Sequence, residues 1–110
     1  MDQSVPFNID VHNLKQLLDD GEEICILDIR EPWETAICGF DDSLRISMRN
    51  LPERVAELPR DKPMVVMCHH GVRSLHATQW LRHSGIDNAI NLQGGIDAWA
   101  RQVDRNCATY

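Results

Sequence analysis

One cysteine of this chain is followed by residues that could make it a nucleophile. The segment Cys68-His69-His70-Gly71-Val72-Arg73-Ser74 follows the apolar run 63–67 and precedes residues 75–84, whose apolar residues have helical spacing. Cys68 is therefore predicted to end a buried strand, in a loop that leads into the N-terminus of a helix. Loop amides and the helix dipole favour negative charge there, and the Arg73 guanidinium adds a positive charge. These surroundings favour a thiolate, the nucleophilic form of cysteine.

The residues after the histidine pair have predicted roles around this sulfur. Gly71 and Val72 are expected to contribute backbone amides. Arg73 is a candidate for holding an anionic substrate, and its alternative role is to pair with an acidic neighbour and fix the loop. Ser74 is a natural helix N-cap, and its hydroxyl is also expected within reach of the sulfur.

The histidine pair leaves two interpretations open. His69 and His70 either assist the thiolate and bind the substrate, or they line the rim of the pocket. No metal site is predicted from them and Cys68, because adjacent residues in a tight loop rarely ligate one ion. An inert, buried Cys68 is the alternative for the cysteine itself, but such a residue does not need this loop after it.

Four short apolar runs indicate buried strands, and amphipathic segments alternate with them. The predicted strands are 24–27, 44–48, 63–67 and 88–92. The predicted helical segments are one capped by Asp10 and ending at Asp20-Gly21, a turn at 31–34, one opening at 51–54, one at 74–84, and one with Ile96, Trp99 and Val103 on one face. This alternation predicts an α/β fold with a parallel sheet covered by helices on both faces.

The ends of the predicted strands indicate where a ligand would bind. In open parallel sheets the ligand lies outside the carboxyl ends of the strands. Asp28 and Arg30 follow one strand as Cys68 follows another, so we expect them to border one pocket. Asp28 should support the pocket wall together with Arg30, and Arg30 is also a candidate for contact with an anionic substrate.

Length and charge limit the class of protein. The 110 residues suffice for one domain, with a core over about 7–103 and a loose tail at 104–110. The net charge is −6 and no basic run occurs, which argues against nucleic-acid or anionic-membrane binding. We expect Trp33, Trp80 and Trp99 to be core or packing residues.

The expected cellular compartment determines whether the four cysteines are thiols or disulfides. The N-terminus has no signal-peptide pattern and no apolar run approaches a membrane span, so the expected compartment is the reducing cytoplasm. There all four cysteines should be thiols. Cys25 should be buried and inert, while Cys38 and Cys107 are either incidental thiols or resolving thiols for Cys68.

Four pieces of the sequence together resemble the single-domain rhodaneses, a family of sulfurtransferases. The resemblance covers about residues 7–103 and rests on the opening helix, on Leu27-Asp28-Ile29-Arg30-Glu31-Pro32-Trp33-Glu34, on the Cys68–Ser74 loop, and on Leu92-Gln93-Gly94-Gly95-Ile96-Asp97-Ala98-Trp99. It implies a five-stranded parallel sheet flanked by helices. The stretch 38–43 departs from the family, because it lacks the usual histidine and Pro-Gly turn that help to shape the pocket.

The resemblance implies sulfur transfer in two steps through a persulfide on Cys68. The expected partners are a small sulfur-donor anion such as thiosulfate, or a persulfide, and a thiol or protein acceptor; no cofactor is implied. Two alternatives are a non-catalytic binding module of the same fold, and a thiol phosphatase or arsenate reductase. The latter two use a loop one residue longer between cysteine and arginine, so the six residues from Cys68 to Arg73 favour sulfur.

Overall fold

The computed structural model describes residues 5–110, and a five-stranded sheet lies at its centre. The strands are β1 (Asn8–Ile9), β2 (Cys25–Asp28), β3 (Leu44–Arg45), β4 (Met64–Met67) and β5 (Ala89–Leu92). They are ordered β1-β5-β4-β2-β3, and each adjacent pair is parallel. The predicted α/β fold with a parallel sheet is confirmed.

Within residues 5–110, a 3₁₀ helix and three of the four α-helices connect the strands, and the fourth α-helix follows β5. They are α1 (Val11–Asp19), α2 (Pro32–Thr35), α3 (Val72–His83), α4 (Gly95–Gln102) and the 3₁₀ helix Met48–Glu57. The predicted cap of α1 is confirmed, since the Asp10 carboxylate accepts a hydrogen bond from the Asn13 amide at 2.8 Å. In the 3₁₀ helix, Pro52 has no amide hydrogen to offer to a regular α-helical ladder. No helix within residues 5–110 combines the length and the apolar character that a membrane span requires.

The side chains of β4 divide the core into two apolar clusters, one on each face of the sheet. Val65 and Met67 face a cluster that includes residues of α1 and α4. Val66 and Cys68 face the opposite cluster, which includes residues of α3 and the 3₁₀ helix. This division follows from the alternation of side chains along a strand. It places the Cys68 side chain on the face that α3 covers.

Some predicted elements differ from the structure. Strand β1 was not predicted, because two residues are too few to show an apolar pattern. Of the three tryptophans, Trp99 lies in the core, whereas Trp33 and Trp80 are 63% and 42% exposed and lie outside it. Cys25 is only partly buried, although its position in a central strand predicted full burial.

The prediction that all four cysteines are thiols is wrong. Cys38 and Cys107 form a disulfide with a Cα–Cα distance of 5.7 Å, while Cys25 and Cys68 are free. The two bonded residues are 69 positions apart, so only the fold brings them together. The tail at 104–110, expected to be loose, is joined to the rest of the fold by this bond.

Candidate active site

The Cys68 sulfur lies at the base of the loop that joins β4 to α3. Cys68 is only 1% exposed, and its Sγ accepts hydrogen bonds from the amides of Gly71 at 3.1 Å and Ser74 at 3.3 Å. The thiol lies 3.4 Å from the Ser74 hydroxyl oxygen, to which it donates. The amides at the start of α3 thus face the sulfur, an arrangement that stabilises negative charge on it.

The curvature of this loop depends on Gly71. Its φ of 96° lies in the left-handed region, which side chains other than glycine rarely adopt. A Cβ atom there would lie 2.9 Å from the Gly94 amide nitrogen. Gly71 is also the N-cap of α3, which begins at Val72; Ser74 is therefore not the cap, and that prediction is wrong.

The N-terminus of α4 fixes the opposite side of the loop. The amide of Ile96 donates to the Cys68 carbonyl at 2.9 Å, and the amide of Asp97 donates to the His69 carbonyl at 3.0 Å. A Cβ atom on Gly95 would lie 2.5 Å from both carbonyl oxygens, so only glycine permits this approach. Amides that a helix start leaves unpaired therefore hold the carbonyls of Cys68 and His69. No structural role was predicted for Gly94-Gly95, which were named only among the residues that resemble the family.

The Ser74 hydroxyl belongs to a buried polar chain. It donates to Asn91 Oδ1 on β5, and Asn91 Nδ2 donates to Asn8 Oδ1 on β1 at 2.9 Å. Ser74 and Asn91 are both buried. The contact between the Ser74 hydroxyl and Cys68 follows the prediction, whereas Asn91 was not identified from the sequence because its pattern is that of an ordinary strand.

Asp28 and Arg30 lie beside the loop as expected, in a fully buried ion pair. Asp28 is opposite Met67 in the sheet, and its carboxylate accepts two hydrogen bonds from the Arg30 guanidinium, at 2.9 and 2.7 Å. Arg30 also donates to the Cys38 carbonyl at 2.6 Å and to the Tyr110 hydroxyl at 3.1 Å. A fifth bond runs from Arg30 Nη1 to the Glu34 carbonyl at 3.4 Å, so all five guanidinium N–H groups have protein partners and Arg30 orders the pocket wall.

Arg73 pairs with an acidic neighbour, Glu34 of α2. Its two terminal nitrogens donate to the two carboxylate oxygens at 2.8 and 2.7 Å. Glu34 is buried, and the hydrogen bonds from Arg73 are the main reason that its pKa falls from 4.5 to about 2. Glu34 was not predicted as a site residue, although it lies in the segment Leu27–Glu34, on which the family resemblance rests in part.

The two histidines are stacked, and they differ in exposure. The rings of His69 and His70 are 3.8 Å apart, and on its other face His69 stacks against Tyr110, also at 3.8 Å. Burial, followed by the nearby charge of His70, lowers the pKa of His69. The His70 side chain is 61% exposed, so it lies at the rim. Val72 is also exposed, so its side chain is not part of the sulfur's surroundings.

The possible metal ligands nearest to the loop do not form a convincing site. Within residues 5–110, one group of His69, His70 and Asp97 brings three potential ligand atoms within 4.8 Å of one another. The carboxylate of Asp97 already pairs with the Arg101 guanidinium at 3.0 Å. That positive charge opposes the binding of a cation at the same carboxylate.

A buried cysteine in a loop of inward-facing amides, at the carboxyl end of a parallel sheet, agrees with the comparisons to known proteins. The family model described as "Rhodanese-like domain" matches residues 10–102, and the chain belongs to this family. The chain is 41% identical over 93 residues to a "Sulfurtransferase" of Allochromatium vinosum, covering 84% of this chain and 87% of that protein.

Two further proteins extend the comparison to a named donor and to a solved structure. The "Thiosulfate sulfurtransferase GlpE" of Shewanella oneidensis is 30% identical, over 84% of this chain and 90% of its own length. The crystal structure of a rhodanese-like domain protein from Staphylococcus aureus superposes with a TM-score of 0.80 at 28% identity, covering 94% and 97% of the two chains. The resemblance read from the sequence is thus confirmed for family and fold.

Proposed function

We propose that this protein is a sulfurtransferase in which Cys68 carries the transferred sulfur as a persulfide. The observation that carries the proposal is the position of the Cys68 sulfur, buried and bonded by the amides of Gly71 and Ser74. Two backbone donors at a helix start stabilise an anionic sulfur without needing to reorient during the reaction. The names of the relatives agree with this class of reaction.

The reaction has two balanced steps. The Cys68 thiolate attacks the outer sulfur of thiosulfate, a new S–S bond forms, and sulfite leaves with the electron pair of the old S–S bond. A nucleophilic acceptor then attacks the outer sulfur of the persulfide and takes it, which returns Cys68 to the thiolate. No external oxidant or reductant is consumed.

Further backbone amides of this segment, besides those of Gly71 and Ser74, are candidates for binding the transferred sulfur. The amides of Val72 and Arg73 lie between those of Gly71 and Ser74 in the loop, and we assign them, together with those of His69 and His70, to the outer sulfur. The role of Arg73 is to hold the loop in shape through Glu34 and to supply a fixed positive charge near the donor.

The proposed donor is a small sulfane-sulfur anion, with thiosulfate supported by the name of the Shewanella relative. The proposed acceptor is a thiol or a protein, and the proposed compartment is the cytoplasm. Cytoplasmic disulfides, where they occur, usually have catalytic or redox-sensing roles. If the protein is cytoplasmic, we therefore expect the Cys38–Cys107 disulfide to have a specific role.

Intact mass measurement after incubation with thiosulfate tests the proposal. We expect the wild-type protein to gain one sulfur, about 32 Da, and to release it on addition of cyanide. Cys68→Ser should gain none. The matched control is Cys25→Ser, which removes the other free cysteine and should gain the sulfur as the wild type does.

Two outcomes would overturn the proposal. One is the absence of the adduct in the wild-type protein, and the other is an adduct that survives Cys68→Ser. Hydrolysis of an aryl phosphate would instead support the phosphatase alternative, which the length of the loop opposes.

A further inference from the structure

The C-terminal segment returns to the candidate active site. After α4, the Cys107 amide donates to the Asp104 carbonyl at 3.0 Å, and the disulfide to Cys38 anchors the segment. Cys107 is buried and packs in the same apolar cluster as α1 and α4. Three residues later, Tyr110 reaches the residues around the Cys68 loop.

Tyr110 makes close contacts on three sides. Its ring lies 3.8 Å from the ring of His69, at an interplanar angle of 7°. Its hydroxyl donates to Glu34 Oε2 at 2.8 Å and accepts from Arg30 Nη1 at 3.1 Å. Its ring also meets Trp33 edge-on, with the centroids 5.9 Å apart. Such a set of contacts defines one position for the side chain.

The contacts of Tyr110 connect residues on both sides of the Cys68 loop. His69 directly follows Cys68, and the Glu34 oxygen that accepts from Tyr110 also accepts from Arg73 at 2.7 Å. The tyrosine therefore joins a side chain at the start of the loop to a side chain near its end. The sulfur lies at the base of the same loop and is 1% exposed.

The disulfide and Tyr110 are connected through one guanidinium. Arg30 Nη2 donates to the carbonyl of Cys38, and Arg30 Nη1 donates to the Tyr110 hydroxyl. One end of the disulfide thus contacts Arg30 directly, and the other end lies three residues before the tyrosine that contacts it. Without the bond, residues 108–110 would lose their nearest covalent anchor and gain conformational freedom.

We propose that Tyr110, held in place by the Cys38–Cys107 disulfide, is a specificity-determining residue that narrows the entrance to Cys68 and selects small sulfur donors over bulky ones. This inference rests on the proposed sulfur transfer and adds the size of the donor to it. The aromatic ring supplies the bulk at the entrance, and the hydroxyl orients the ring on Glu34 and Arg30.

Two donors of equal charge test the size selection. Methanethiosulfonate and benzenethiosulfonate anions both carry one negative charge and a sulfane sulfur, and with each the Cys68 thiolate takes that sulfur while a sulfinate leaves. The measurement is kcat/KM for each donor, with cyanide as acceptor and thiocyanate as product. The quantity compared between variants is the kcat/KM for benzenethiosulfonate divided by the kcat/KM for methanethiosulfonate.

We expect Tyr110→Ala and the double variant Cys38→Ser/Cys107→Ser each to raise this ratio about tenfold, because either change opens the entrance. Tyr110→Phe keeps the ring and should stay within about twofold of the wild-type ratio. Cys25→Ser, a matched cysteine substitution away from the tail, should leave the ratio unchanged. An unchanged ratio in Tyr110→Ala, or an equal rise in Tyr110→Phe, would overturn the inference.

A second measurement separates this inference from the proposed function. Alkylation of Cys68 by a bulky maleimide and by iodoacetamide, followed by peptide mass analysis, needs no sulfur transfer. We expect Tyr110→Ala to raise the maleimide rate relative to the iodoacetamide rate by about tenfold. If neither thiosulfonate yields thiocyanate, the proposed function fails while alkylation still tests the entrance. If transfer occurs and neither ratio moves, only the role of Tyr110 fails.

Discussion

The carboxylate of Glu34 organises the residues around the loop. It accepts hydrogen bonds from both terminal nitrogens of Arg73, from the Tyr110 hydroxyl and from the Glu31 amide. Glu34 is 3% exposed, so this charge is removed from water and depends on its partners. A single carboxylate therefore connects α2, the N-terminus of α3 and the C-terminal segment.

This dependence predicts a pH effect on stability. The pKa of Glu34 is lowered from 4.5 to about 2, chiefly by the hydrogen bonds from Arg73. A carboxylate whose folded pKa is depressed stabilises the fold above its unfolded pKa and loses that contribution as the pH falls through the folded value. We expect Glu34→Gln to melt below the wild type near neutral pH, with a difference that shrinks as the pH falls from 4.5 toward 2 in thermal melts.

Glu57 provides the control for this measurement. It pairs with Arg54 on the surface, at 2.7 Å, and the two side chains are 49% and 41% exposed. Because exposed pairs contribute little, Glu57→Gln should change the melting temperature only slightly at any pH. A constant difference between Glu34→Gln and the wild type across the window would contradict the assigned role of the charge.

The start of α4 is the element that shapes the loop from outside. Gly95, with a φ of 59°, brings the amides of Ile96 and Asp97 onto the carbonyls of Cys68 and His69. The close approach leaves no space for a side chain at Gly95. The conformation of the loop is thus set by two helix starts, one on each side of it.

We expect Gly95→Ala to lower kcat/KM for sulfur transfer by at least about tenfold, because the loop must shift away from the new methyl group. Its free energy of unfolding should fall by about 3 kcal/mol, from the left-handed conformation and the steric overlap together. Steady-state kinetics and urea unfolding provide the two measurements.

Gly85→Ala isolates the conformational part of this cost. Gly85 also has a positive φ, 88°, but no atom lies within 4 Å of a Cβ built there. Its alanine variant should lose only about 1 kcal/mol and keep the wild-type transfer rate. If Gly95→Ala behaves like Gly85→Ala, the contact with the loop is not what shapes the site.

The elements show how far the sequence determines the fold. The four apolar runs predicted β2 to β5, and the Asp10 cap predicted the start of α1, because these signals are local. The two-residue β1 depends on its pairing with β5, and the 3₁₀ form of Met48–Glu57, which contains Pro52, was predicted only as a helix. Asp28 and Cys68 each follow a predicted strand, so their proximity could be predicted from the sequence. The contacts of Glu34, Asn91 and Tyr110 around the loop arise only in the fold and could not be predicted.

At the scale of the whole molecule, the disulfide closes a covalent loop around the candidate site. The bond joins positions 69 residues apart, and the loop it closes contains β3, β4, α3, β5 and α4. Because no local pattern links two cysteines so far apart, the pairing could not be predicted from the sequence, and the expected compartment pointed to four thiols instead. A loop of this length restricts the unfolded chain strongly.

We expect Cys38→Ser/Cys107→Ser to lower the free energy of unfolding by up to about 4 kcal/mol, from the lost restriction of the unfolded state. Urea unfolding without reductant measures the difference. The wild type unfolded after reduction should match the double variant, and Cys25→Ser should lose much less. Equal stability of the double variant and the oxidised wild type would show that the bond does not restrict the unfolded chain.

The buried hydrogen-bond chain Ser74–Asn91–Asn8 affects how the Ser74 hydroxyl responds to negative charge on the Cys68 sulfur. The Ser74 hydroxyl has one hydrogen, and in this structure it points to Asn91, so the hydroxyl oxygen accepts from the Cys68 thiol. In the proposed reaction the thiol ionises; the amides of Gly71 and Ser74 already face the sulfur, whereas the Ser74 hydroxyl must turn from Asn91 to donate to it. In that reaction, rotation of this one O–H bond adds a third donor beside the two amides that already face the sulfur.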